Sequence, residues 1–305
     1  MKLIHPTDLV TLEKRNHMLF EALRTQDSEL PIEKEYPIVL SAENLRYSYC
    51  LTDQDTICSH ANLWPRILQD RSHVETIPVG LVGNVATAES HRGRGLMKDL
   101  MDTLEQEAQK KGLSALILWS DLSEFYHRLG FESLGKEFHF SFETMDLEPL
   151  TDIQVKQTKL QDIDRTLLQK LLALRYPISR TLQRSLSDYE QLIHIPSMEL
   201  YTAWKNDNLC AFGWIGKGAD MSGVIHEWGA QEPEMMIDLS SEISKSQKLQ
   251  QVMILSPHEL RDDWLQIFLE ESFLSEVVPM AFIKILDESK REALEDMFIW
   301  GLDSI

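Results

Sequence analysis

The chain has 305 residues, 30 Lys and Arg against 49 Asp and Glu, a formal net charge of -19 and a hydrophobic fraction of 43%. That is the composition of a globular protein large enough for two cores, and acidity shared by both halves disfavours nucleic acid or any other polyphosphate polymer as a partner. No apolar run reaches the roughly 18 residues needed to cross a bilayer, and Pro6 and Asp8 interrupt any leader-type core, so a cytoplasmic protein with no membrane partner is expected.

Residues 1–4 read as a short strand and 6–24 as a helix capped by Thr7 or Asp8. A polar loop is expected over 27–36. Strands at 46–51 and 56–63 flank Thr52-Asp53-Gln54-Asp55, a hairpin signal. Pro65 and the charged residues 69–75 come before the next strand. Cys50, Cys58 and Cys210 are scattered and lack CxxC spacing, so they read as core thiols rather than a disulfide framework or a zinc site. Histidines 60, 73, 91, 127 and 139 lack the paired spacing of a ligand set, and no metal is expected; His91 alone adjoins a chemically distinctive loop.

That loop lies in residues 78–99. Val79, Leu81, Val82, Val85 and Ala86 are strand-compatible, and from Leu96 the apolar positions switch to Leu96, Leu100, Met101, Leu104 and Ala108, the period of a helix face. Arg92-Gly93-Arg94-Gly95 joins the two. A turn of this kind leaves backbone N–H groups pointing outward at a helix N-terminus, where the peptide dipoles sum to about half a positive charge. Glycines let main chain approach an oxygen closely, and the arginines, with Lys98, reverse the sign of an otherwise acidic chain. The loop lacks the Lys-Ser/Thr ending of a Walker loop and the spacing of a dinucleotide fingerprint. Residues 113–119 then form a buried-strand pattern, followed by Phe125-Tyr126-His127-Arg128-Leu129-Gly130-Phe131.

This pair of motifs resembles the GNAT superfamily of N-acetyltransferases, whose coenzyme A loop has the form Arg/Gln-x-x-Gly-x-Gly/Ala and whose later signature is Tyr-x-x-x-Gly-Phe. Arg92 and Gly95 match, while Met97 stands where the family has Gly or Ala. The resemblance implies an α+β fold with a central mixed, mostly antiparallel sheet over residues 1–147, in which 138–142, with Phe at every second position, is the final strand. It implies that the loop from Arg92 to Met97, including Gly93, Arg94 and Leu96, holds the pyrophosphate of acetyl-CoA. It further implies that backbone groups of Val85, Ala86 and Thr87, at the splayed end of the central strand, hold the pantetheine arm and thioester carbonyl, and that Tyr126 protonates the leaving thiolate. A general base is not visible.

Residues 143–152 are acidic, carry Pro149 and read as the domain junction. The remainder, 148–305, repeats the order: a strand at 153–156, a helix capped by Asp162 or Asp164, a hairpin around Lys205-Asn206-Asp207-Asn208, a central strand at 223–230, a helix at 235–246, strands at 251–255 and 279–286 and a short helix at 263–272. Gln231-Glu232-Pro233-Glu234 stands where the first half has its Arg-Gly loop, and its carboxylates would repel a pyrophosphate. A second, degenerate GNAT-like domain is therefore expected. Tandem pairs of this kind resemble the mycothiol synthases and the Eis-type aminoglycoside acetyltransferases. Glu227, flanked by Trp228, is a candidate for holding a substrate ammonium, against the plainer reading of a solvated strand glutamate. The apolar tail 297–305 is expected to dock.

The activity expected is acetyl transfer from acetyl-CoA to a small-molecule acceptor that is cationic or at least a primary amine. The alternatives are a coenzyme A sensor without turnover, and transfer to a protein amine with the second domain as an interaction platform. The oligomeric state is left open.

Overall fold

The computed structural model describes residues 1–25, 30–72, 74–143 and 149–305. The strands are β1 (Lys2–Ile4), β2 (Ser48–Asp53), β3 (Thr56–Asp70), β4 (Thr76–Thr87), β5 (Ala115–Leu118), β6 (Glu132–Leu134), β7 (Glu137–Glu143), β8 (Gln154–Thr158), β9 (Arg180–Leu182), β10 (Glu199–Lys205), β11 (Asn208–Ile215), β12 (Val224–Ala230), β13 (Gln251–Pro257), β14 (Leu274–Val278) and β15 (Ala281–Ile285). The α-helices are α1 (Leu9–Leu23), α2 (Ile32–Glu35), α3 (Leu96–Lys110), α4 (Ser123–Arg128), α5 (Arg165–Leu174), α6 (Leu186–Leu192), α7 (Pro233–Gln247), α8 (Asp262–Glu271) and α9 (Arg291–Glu295).

Two compact units divide the chain: Met1–Gly135, Met280–Asp296 and Ser304–Ile305 form the first, Lys136–Pro279 and Met297–Asp303 the second. The first unit's sheet runs β1-β2-β3-β4-β5-β15-β6, with α1 against β3 and β4 and α3 against β2, β3 and β4. Leu96, Leu100, Met101, Leu104 and Ala108 of α3, the apolar stripe seen in the sequence, are buried on Cys58, Leu63, Val82 and Leu116. Asp8 caps α1 as its sequence suggests, accepting from Thr11 N at 2.8 Å. In the second unit the order is β14-β7-β13-β12-β11-β10-β8, with α7 across β10 to β13 and α5 on β11 and β12.

Two expectations need correction. Residues 137–143 do not close the first sheet: β7 pairs β13 and β14 in the second, where Phe140 and Phe142 meet Phe268 at ring distances of 5.2 and 6.0 Å. Residues 281–285 do not close the second: β15 pairs β5 and β6 in the first, burying Ala281 and Ile283. A single cut at 147/148 therefore does not divide the chain, since each unit takes its late strand from beyond that cut. Alternation identifies a strand and its buried face but not the sheet it joins. The expected junction at 143–152 lies largely in residues 144–148, outside the described residues. Within the polar stretch 27–36, Ile32–Glu35 is a helical turn; β3 runs past Pro65 to Asp70, and β14 follows α8 where no strand was expected. The three cysteines are buried, and so are Met297, Phe298, Ile299, Trp300 and Leu302 of the tail.

The two units repeat one another closely. Cys58 O on β3 accepts from Ala88 N, the residue after β4, at 2.9 Å; Cys210 O on β11 accepts from Gln231 N, the residue after β12, also at 2.9 Å. From these anchors the ladders coincide: Ser59 faces Thr87 and His60 faces Ala86 in one, Ala211 faces Ala230 and Phe212 faces Gly229 in the other.

Candidate active site

In the first unit β4 and β5 are parallel, yet their ladder contains only Gly80 with Leu116 and Leu81 with Ile117. Beyond Leu81 the strands separate, and main chain of β4 from Val82 to Thr87 has no ladder partner on that side among the described residues. On the other side a bulge lies between His60 and Asn62, which face Ala86 and Gly83, and within it Asn84 has φ +46°. Val85 is partly buried against the α3 core, Ala86 is buried, and Thr87 is half-buried with its hydroxyl 3.1 Å from Ser59 Oγ. The three residues expected to hold the pantetheine arm thus lie together at the open end of the central strand.

Nine residues after Thr87 the chain enters α3. Gly93 and Gly95 take φ of +75° and +77°, a conformation that explains glycine at both places because side chains disfavour it. Gly95 is the N-cap and, having no side chain, caps none of the first-turn N–H groups of the helix, for which no side-chain acceptor is found among the described residues. Arg92 Nε donates to Thr87 O at 3.3 Å and Arg94 Nη2 to Ser90 O at 3.0 Å, which tethers both exposed guanidinium groups over the loop. Lys98 is committed to Asp102 at 2.5 Å, so the loop's positive charge is carried by the two arginines and the helix terminus. Leu96 is buried and Met97 packs against the same core, which gives the methionine a place outside the anion-binding turn. His91 Nδ1 lies 2.9 Å from Ser90 Oγ.

Tyr126 sits on α4 with 4% exposure, its ring 5.1 Å from Phe125, 5.7 Å from Phe131 and 5.9 Å from Phe282. Its hydroxyl bonds the side chain of Ser120, just beyond β5; burial pushes the phenol up to about 12 against that bond, so it is a protonated donor throughout the neutral range. Phe282 and Lys284 come from β15, more than 150 residues downstream, and no local pattern announces their role. Lys284 Nζ binds Glu105 on α3 at 2.5 Å and Leu129 O at 2.9 Å, linking the loop helix to the tyrosine helix. Ile305 presses on Gly83, where a Cβ would stand 2.7 Å from its carbonyl carbon; only glycine fits there.

Glu227 is a correction. It is fully buried, and Arg184 takes both its oxygens at 2.8 and 2.6 Å while also binding Asp303 at 2.9 and 2.6 Å. Nothing is left for a substrate ammonium. The sequence places a glutamate on a central strand, but its cation comes from 43 residues upstream. The rest of that region is closed in the same way. β12 and β13 pair only at Val224 with Met253 and Ile225 with Ile254; past that point Trp228 Nε1 bonds Leu255 O at 2.9 Å, and Trp264 and Trp300 flank the Trp228 ring at 5.5 and 6.0 Å. Glu232 occupies the N-cap position of α7 without a side-chain cap bond, Pro233 removes one N–H from its first turn and Glu234 adds a second carboxylate, which leaves a poor anion site.

The family model for the acetyltransferase (GNAT) domain matches residues 16–134, the stretch that contains the splayed strand, the Arg-Gly loop and Tyr126. That stretch of the chain is thereby a GNAT-type acetyltransferase domain, and it supports acyl transfer as the activity. No curated protein matches the chain. Among solved structures it is similar to a GCN5-related N-acetyltransferase from Kribbella flavida (18% identity, 94% of this chain and 71% of that one, TM-score 0.65). It is also similar to a probable N-acyltransferase from Enterococcus faecalis (13%, 94% and 72%, 0.69) and to N-myristoyltransferase of Saccharomyces cerevisiae with bound myristoyl-CoA (9%, 93% and 82%, 0.55). At these identities the likeness speaks for the fold: two GNAT-like sheets in tandem. No helix among the described residues is long and apolar enough to cross a membrane.

Proposed function

We propose that the first unit transfers an acetyl group from acetyl-CoA to a primary amine of a small, cationic acceptor. The observation that carries this reading is the uncapped N-terminus of α3 behind Arg92-Gly93-Arg94-Gly95, one turn away from the unpaired edge of β4. The bound donor supplies an activated thioester. Around it, Arg92, Arg94 and the first-turn N–H groups of α3, with Leu96 and Met97 anchoring the turn, neutralise a pyrophosphate. Main chain of Val85, Ala86 and Thr87 holds the pantetheine arm and donates to the carbonyl oxygen as charge develops on it. The neutral amine attacks that carbonyl, the C–N bond forms as the C–S bond breaks, Tyr126 gives its proton to the leaving sulfur, and the proton lost by the amine returns through water to the phenolate.

A cavity of about 860 Å³ supports the amine reading. It is lined on one side by Ala88, Glu89, Ser90 and Arg92 next to the phosphate loop and on the other by α1 and the residues after it, where Met18 and Phe20 offer apolar surface; Glu21 and Glu89, one from each side, offer carboxylates. Arg24, also in the lining, is held by Glu35 at 2.7 Å. An ammonium-bearing acceptor would find its counter-charge in that cavity, beside the thioester. The test is thiol release from acetyl-CoA against a panel of polyamines, aminoglycosides and neutral amines, with longer acyl donors alongside. Turnover with a cationic amine, with kcat/KM falling as salt rises, is expected. Preference for an anionic acceptor at every ionic strength would contradict it.

A further inference from the structure

β3 reaches across to β4 with side chains as well as with its ladder. His60 Nδ1 lies 2.8 Å from Asn84 O, and because a carbonyl only accepts, that nitrogen carries the proton. Ser59 Oγ–H donates to Ala86 O at 3.0 Å. Both side chains are fully buried. Burial, aided by the charge of Arg15 and opposed by the bond to Asn84, pushes His60 down to about 3, so the ring is neutral, and its Nε2 is enclosed with no hydrogen-bond partner among the described residues. Two carbonyls at the bulge, on either side of Val85, are therefore each fixed by a β3 side chain at the point where β4 has parted from β5.

The second unit serves as a control built into the same chain. Register from the Cys58 and Cys210 anchors places Ala211 where Ser59 stands and Phe212 where His60 stands, and neither side chain can donate a hydrogen bond. There the bulge falls later, between Trp214 and Ile215, beyond the equivalent pairs. The donor pair occurs only in the unit that has the Arg-Gly loop and the open strand edge.

We infer that Ser59 and His60 are positioning residues for acyl transfer: they clamp the Asn84 and Ala86 carbonyls, and so aim the main chain of Val85 to Thr87 at the thioester carbonyl. This inference rests on the acyl-transfer reading above. A buried, uncharged clamp pre-organises donors before charge develops, so its loss should appear in the transition state more than in donor binding.

The experiment compares His60→Phe, which installs the second unit's residue, with His60→Asn, whose side-chain amide donates from near the Nδ1 position, and with Ser59→Ala. All three are checked for wild-type circular dichroism. His60→Phe should lower kcat by about tenfold or more while the acetyl-CoA dissociation constant stays within about threefold; His60→Asn should recover most of the rate, and Ser59→Ala should lose a smaller factor of the same kind. The clamp is overturned if folded His60→Phe turns over at the wild-type rate, or if His60→Asn is as slow as His60→Phe, since the ring would then matter only as packing. A wild-type protein that releases no thiol with any amine would refute the acyl-transfer reading instead. The clamp would then be judged by amide exchange of residues 84–87, where faster exchange in His60→Phe, restored by His60→Asn, supports it and unchanged exchange overturns it.

Discussion

In both units the central strand leaves its parallel neighbour after two paired residues, at Leu81 and Ile117 in one and at Ile225 and Ile254 in the other. What fills the space beyond differs completely. The first unit leaves β4 main chain unpaired, clamps it from behind with Ser59 and His60, and places an uncapped, arginine-flanked helix terminus beside it. The second sews the gap shut with Trp228, Trp264 and Trp300 and a buried Arg184-Glu227-Asp303 network, and begins its helix with Glu232-Pro233-Glu234. The same strand order thus leaves an open strand edge beside a basic helix terminus in one unit and a gap filled by packed side chains in the other. The sheet is shared, and the two units differ in the loops and side chains set on it.

The comparison breaks first, and most heavily, at Arg184. Replacing it with Met leaves Glu227 and Asp303 buried without their shared cation, which should cost about 3 to 5 kcal/mol in the second unit's unfolding. Urea titration should show that loss while acetyl-CoA affinity holds. A variant as stable as the wild type would show that the network does not hold the closed site together.

In the first unit Tyr126→Phe keeps a ring that packs on Phe131 and Phe282 and removes only the hydroxyl. Under the proposed general-acid role, this variant should lose roughly 10² to 10³ in kcat, about 3 to 4 kcal/mol, with donor binding nearly unchanged. A wild-type rate in this variant would assign Tyr126 to packing alone. Arg94→Glu comes next: reversing a charge tethered to Ser90 O should weaken acetyl-CoA binding by about 1.5 to 3 kcal/mol, read by calorimetry, without altering the circular dichroism spectrum.

The last effect is one of pH, spread over several pH units, and both units share it. His60 and His226 are each pushed down to about 3, chiefly by burial, from an ordinary 6.5. The unfolded chain therefore binds more protons than the folded one between those values, and stability present above pH 6.5 is lost as pH falls toward 3. Each histidine contributes a slope of about 1.4 kcal/mol per pH unit within that window. His60→Asn should flatten the acid limb of the urea midpoint relative to wild type; an unchanged limb would mean that His60 titrates normally.

Much of this was legible in the residues. The helix stripe from Leu96 to Ala108, the Asp8 and Asp164 caps, the glycines of the Arg-Gly loop and the acidic opening of α7 are local patterns, and local patterns are what sequence periodicity and turn chemistry report. What escaped depended on distant pairing. β7 and β15 read as strands but gave no sign of which sheet each would join. Glu227 could not declare its partner Arg184, and the contributions of Phe282 and Lys284 to the tyrosine helix come from a strand far downstream. His60 looked like an ordinary strand histidine; the one signal that could have distinguished it was the matching Cys58 and Cys210, which align it with Phe212.

The central claim is that one unit binds the acyl donor and the other has closed its equivalent site. Calorimetric titration of the whole chain with acetyl-CoA tests it most directly. One equivalent per chain, abolished or strongly weakened by Arg94→Glu and untouched by Glu232→Gln, is the predicted result; two equivalents, or one equivalent insensitive to Arg94→Glu, would contradict it.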